Sequence, residues 1–80
     1  MTVAETDFTD HGALRMEQRG MTNDEAQNAI QTATETGDFT TQTGKYGTPQ
    51  TVYNGSNGVT VIVETAGRNA GKIITLYRNK

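Results

Sequence analysis

The chain carries one histidine, in the stretch DHGALRMEQRGMT, where His11 is followed at helical spacing by Arg15 and then Arg19. On an α-helix a step of four residues returns to nearly the same face, so the imidazole and both guanidinium groups form one polar stripe. Imidazole is the side chain that ordinarily titrates nearest neutrality, and guanidinium binds phosphate oxygens through a planar fork of donors. Such a stripe suits a phosphate ester. The same residues also describe a plain solvated face, with His11 in water or at a helix start and the arginines paired with nearby acids such as Glu17.

RNA cleavage without a metal requires a base for the 2′-hydroxyl proton, an acid for the leaving 5′-oxygen, and donors for the charge that grows on phosphorus. The stripe lacks hydroxyl donors, and the segment KIITLYR offers them in Thr75 and Tyr77. If stripe and segment converge, His11 exchanges the proton, Arg15 and Arg19 bind phosphate oxygens, and Thr75 and Tyr77 orient the phosphate or donate to it. Contacts to the rest of an RNA would come from Lys45 and Tyr46 in GKYG, as a cation beside a stacking ring, and from Lys72 and Arg78 flanking the last strand. Thr75 and Tyr77 are equally ordinary strand residues, GKYG an ordinary turn, and Lys72 and Arg78 solvated strand ends. No metal or cofactor is expected: there is no cysteine, the lone histidine precludes a His-rich site, and GSNG does not match a phosphate-binding loop.

The elements that must position these groups follow from pattern. Thr9 or Asp10 suits the cap of a first helix that holds Ala13, Leu14 and Met16 and ends before Gly20. Gly12 costs helix propensity, which points to a close approach by substrate or backbone. The second helix is announced by a capping box, Thr22 with Glu25, by a Met21/Ala26 staple, and by Ala26, Ala29, Ile30 and Ala33 at helical spacing, with Gly37 closing it. Beyond Gly37 the period changes to alternation, giving strands over 38–43, 51–54, 59–65 and 72–78. The turns are GKYGTP, NGSNG and AGRNAG.

This order predicts an α+β domain, two N-terminal helices packed on a four-stranded, mainly antiparallel sheet (ααββββ), filling residues 1–80 as a single domain with 1–8 as an arm that Val3 and Phe8 could pin. Alternation assigns Val59, Val61 and Val63, with Ile74 and Leu76, to the helix side. Thr60, Thr75 and Tyr77 fall on the opposite, wet face.

Composition narrows the classes further. With 80 residues and 32% hydrophobic content the core is small. No apolar run approaches bilayer length and MTVAETDF lacks the regions of a signal peptide, so a soluble domain without a membrane partner is expected. Net charge is −2, yet residues 1–40 hold eight acids against Arg15 and Arg19, while residues 41–80 hold five cations against Glu64. The overall sign argues against a general nucleic-acid coat and leaves room for a local cationic seam.

The run HGALRMEQRGMTNDEAQNAI, followed by a glycine-rich sheet ending in GKIITLYRN, resembles the RelE-like branch of the ribonuclease toxin superfamily named after barnase, EndoU, colicin and RelE. It is similar, more narrowly, to small domains whose first helix reads H-x-x-x-R-M-x-x-R-G and whose last strand ends near iiTvY. His11, Arg15, Met16, Arg19 and Gly20 fill the helical pattern, and Ile74, Thr75 and Tyr77 the strand pattern; Gly12 stands where an alanine is expected.

The resemblance implies a metal-independent endonuclease that cuts RNA, often tRNA, leaving 2′,3′-cyclic phosphate ends. It implies neutralisation by a cognate immunity protein or antitoxin. It also implies action in the bacterial cytoplasm, alone or as the C-terminal tip of a surface-displayed effector of contact-dependent growth inhibition, with some such tips depending on a translation factor of the target cell. Two other classes compete: a non-enzymatic protein-interaction module, which suits the acidity, and an antitoxin or immunity protein, which the cationic stripe opposes.

Overall fold

In the computed structural model, which describes residues 8–44, 47–67 and 70–78, helix α1 spans Asp10–Gln18 and helix α2 spans Asn23–Thr36. Strands β1 (Phe39–Thr43), β2 (Pro49–Asn54), β3 (Val59–Glu64) and β4 (Ile73–Arg78) form one sheet in the order β1-β2-β3-β4, every neighbour antiparallel. The protein is therefore an α+β fold of the ααββββ order that the change of period after Gly37 predicts. No helix among the described residues is long and apolar enough to cross a membrane. Of the expected arm, residues 1–7, Val3 included, lie outside the described residues, as do Lys45 and Tyr46; Phe8 forms a parallel bridge to Ile73 and packs against the core.

Local chemistry sets the helix ends. Thr9 caps α1, its hydroxyl accepting from Gly12 N at 3.0 Å. Thr22 and Glu25 form the complete capping box of α2, and Gly37 ends that helix in the left-handed conformation at φ 72°.

Packing divides the two helices. α2 lies on β2 and β3, and α1 lies along β4. Ala26 and Ala29 of α2 join Val59, Val61, Val63, Ile73 and Leu76 in the buried cluster. Alanine's small side chain brings α2 so near the β2–β3 turn that a Cβ on Gly55 would meet Ala29 Cα at 2.5 Å. Thr32 Oγ1 accepts from Ser56 N at 3.0 Å, and Asn57 Nδ2 donates to Glu25 O at 3.2 Å, so that turn is fastened to the helix. On α1 the apolar members contribute less than their type suggests: Met16 is half-buried, Ala13 exposed and Leu14 49% exposed. Gly12 is the residue that α1 buries.

Cross-strand partners share a face, so the register sorts the sheet. Phe39, Tyr53, Val61 and Leu76 form one row on the helix side, while Thr40, Val52, Ile62 and Thr75 form a row on the open side. Two expectations need correction here. Ile73, rather than Ile74, is fully buried with Leu76, because a register shift pairs Ile62 with Thr75 but Val63 with Ile73, leaving Ile74 as the extra residue of a bulge. Thr60 is only 1% exposed rather than wet; it lies on a central strand between Asn54 and Tyr77, and its hydroxyl donates to Asn54 Oδ1 at 3.1 Å.

Candidate active site

Helix α1 is fastened to β4 at both ends. At its start, Thr9 N and Thr9 Oγ1 both donate to Ile73 O, at 2.9 and 3.2 Å, and Gly12 packs directly on that carbonyl. A Cβ at position 12 would collide with Ile73 O and stand 3.3 Å from Ile74 C. Backbone, rather than substrate, is what the glycine admits. At the other end Arg19 Nη1 donates to Leu76 O at 2.6 Å and reaches Thr75 Oγ1 at 3.4 Å.

These two attachments set α1 along β4, with Arg19, the last residue of the polar stripe, reaching the strand. Arg19 and Thr75, far apart in sequence, are brought into contact across the seam. His11 is exposed and accepts from Arg15 Nε at 3.3 Å, while Arg15 Nη1 donates to Gln18 Oε1 at 3.3 Å. Thus Arg15 joins His11 to the helix surface rather than pairing with Glu17. Tyr77 follows Thr75 on the open face, with Thr60 as its cross-strand partner, and is 39% exposed. Among the described residues no hydrogen bond links His11 or Arg15 to Thr75 or Tyr77.

Of the four residues expected to hold the remainder of an RNA, the structure describes Lys72 and Arg78. Lys45 and Tyr46 lie outside the described residues. Lys72 is half-buried just before β4, and Arg78 ends that strand, so they sit at opposite ends of an element roughly 20 Å long. Arg78 points to the helix side, in the row of Val59, and its guanidinium donates to Glu25 Oε2 at 2.9 Å and to Arg19 O at 3.2 Å.

Glu25 is thereby a residue of the site's framework that pattern reading sees only as a helix cap. Its signal in the sequence is slight: an acid in the first turn of α2 and a cation at the end of the last strand. Among the described residues no group of three or more His, Cys, Asp or Glu is placed to hold a metal ion.

Of the five residues expected to do chemistry, the structure joins Arg19 to Thr75 across the α1–β4 seam and His11 to Arg15 along α1, while Tyr77 stands on the open face of the sheet. No family model, curated protein or solved structure matches the chain.

Proposed function

We propose that the chain is a metal-independent RNA endonuclease toxin, most suited to tRNA, acting at the α1–β4 seam. The observation that carries this reading is the Arg19–Thr75 contact, which joins the helical stripe to the strand hydroxyl that the chemistry needs beside it. Arg19 spends Nη1 on Leu76 and Thr75, and its Nε and Nη2 make no hydrogen bond among the described residues, leaving a fork aimed by its own anchor. A fixed guanidinium stabilises developing phosphorane charge without reorganising during the reaction.

In the reaction, neutral His11 takes the proton from the 2′-hydroxyl as that oxygen attacks phosphorus. The P–O5′ bond breaks, and a proton returns to the 5′-oxygen from the imidazolium. The products are a 2′,3′-cyclic phosphate and a 5′-hydroxyl. Arg15, Arg19, Thr75 and Tyr77 hold and neutralise the phosphate. Resemblance to the RelE-like ribonuclease toxins supplies the expected partners: an immunity protein or antitoxin, and a translation factor where the target is tRNA in complex.

The test is incubation of the purified protein with total tRNA in EDTA, with and without cell extract. Fragments ending in cyclic phosphate are the expected result. Intact tRNA in both arms would overturn the proposal and favour the other reading, a protein-interaction module. One observation favours that module: β1 is exposed along its whole length at an open sheet edge, where a partner strand could pair.

A further inference from the structure

We propose that Arg78 is a positioning residue for Arg19 rather than an RNA contact, and that Glu25 is its anchor; the inference rests on the reading of the α1–β4 seam as the RNA-cleaving site. The two arginines clasp each other's elements. From α1, the Arg19 side chain donates to the β4 backbone at Leu76 O, 2.6 Å. From β4, the Arg78 side chain donates to the backbone just past α1, through Nη1 to Arg19 O at 3.2 Å and Nη2 to Gly20 O at 3.5 Å. Arg19 is therefore held by its side chain and by its own carbonyl.

Glu25 sets where Arg78 can reach. Its carboxylate receives Arg78 Nη2 at 2.9 and 3.1 Å while also accepting from Thr22 N and Thr22 Oγ1, both at 3.3 Å, in the capping box. The placement agrees with both helix dipoles, a cation at the carbonyl end of α1 and an anion at the amide end of α2. An RNA phosphate would have to take Arg78 from this carboxylate and then face the bared charge.

Magnitude separates positioning from stability. The Arg78 and Glu25 side chains are 45% and 31% exposed, and pairs so placed add little to folding. Displacement of a phosphate-binding group by about 1 Å, by contrast, can cost on the order of 100-fold in rate. The clasp should register in turnover more than in melting.

Three variants separate the possibilities. Glu25→Gln keeps the capping box, which glutamine also completes, and removes the ion pair. Arg78→Gln removes the clasp, and Arg78→Lys keeps charge without the fork. The expected result for all three is a kcat on tRNA lowered about ten- to 100-fold, with KM within about twofold of the parent and the salt dependence of binding unchanged.

Parent-like kcat in Arg78→Lys or Glu25→Gln overturns the proposal. So does Arg78→Gln that raises KM and lowers the salt slope by about one, the mark of a lost phosphate contact. NMR of the arginine Nε–Hε groups tests the clasp without RNA: in Glu25→Gln and Arg78→Gln the Arg19 signal should move to the averaged position of an unrestrained arginine while Arg15 stays in place. An unmoved Arg19 signal overturns the proposal. If the parent itself cuts no RNA, the nuclease reading fails, and the NMR shifts still establish whether Arg78 and Glu25 restrain Arg19.

Discussion

Arg15 Nε lies 3.3 Å from His11 Nε2, one helical turn away on α1. A guanidinium only donates, so Nε2 is the accepting nitrogen of this pair. For His11 to take a proton at that nitrogen, Arg15 must first release it. Replacing His11 by alanine should lower tRNA cleavage at least 100-fold, on the order expected for a lost acid–base group. Because His11 is exposed, its removal should change the unfolding free energy by less than about 0.5 kcal/mol in urea titration. Equal cleavage by parent and variant would remove His11 from the mechanism.

Gly12 makes a sharper prediction about architecture. Alanine there gains up to about 1 kcal/mol of helix propensity, but its methyl group would occupy the place of Ile73 O. Overpacking against rigid backbone should win, destabilising Gly12→Ala by about 1–3 kcal/mol. Gly20→Ala is the contrast: nothing lies within 4 Å, and only its φ of +62° opposes a side chain, at a cost of about 1 kcal/mol. A Gly12→Ala protein more stable than the parent would mean that α1 does not rest on β4 as described.

Thr75→Val keeps the branched shape and removes the hydroxyl that faces Arg19. A hydrogen bond to a charged group is worth about 1.5–3 kcal/mol, and the 3.4 Å contact belongs at the weak end. Cleavage should fall about tenfold and recover in Thr75→Ser, measured as single-turnover rates. Equal loss in both variants would assign Thr75 to packing.

The cap of α2 is testable without any activity. Thr22→Ala removes the acceptor for Glu25 N at 3.2 Å and should cost about 1 kcal/mol in thermal or urea unfolding. Combined with Glu25→Ala the effects should fall short of additive, because the two residues serve the same box. Strict additivity would indicate that the box does not form.

Much of this fold is written in local chemistry. Thr9, Thr22, Glu25 and Gly37 announce the helices through capping groups that act over a few residues, and the alternation of VTVIVET announces β3 in the same way. What the sequence conceals depends on residues far apart. The bulge at Ile74 arises from pairing with β3, so parity within KIITLYR alone puts Ile73 on the wrong face. Thr60 looks wet in its own strand and is buried by its neighbours across the sheet.

The candidate site divides along the same line. The spacing of His11, Arg15 and Arg19 is a property of one helix and can be read directly. Contact between Arg19 and Thr75, and the grip of Arg78 on Glu25, require the helix C-terminus and the last strand to meet, which no local pattern encodes. Gly12 is an intermediate case: its presence signals a close approach, and only the docked β4 identifies Ile73 as what approaches.

The fastening of α1 to β4 also sets when the molecule comes into being. Thr9 waits 64 positions for Ile73, and Arg19 waits 57 for Leu76, so a ribosome releases the histidine helix long before its strand exists. A nine-residue helix alone in water is marginal. Throughout elongation the imidazole, the guanidiniums and the hydroxyls are strung along a nascent chain without fixed relation to one another. The contacts of Arg19 with Thr75 and Leu76 can close only after translation has passed the last strand, and whatever chemistry the seam performs waits for them.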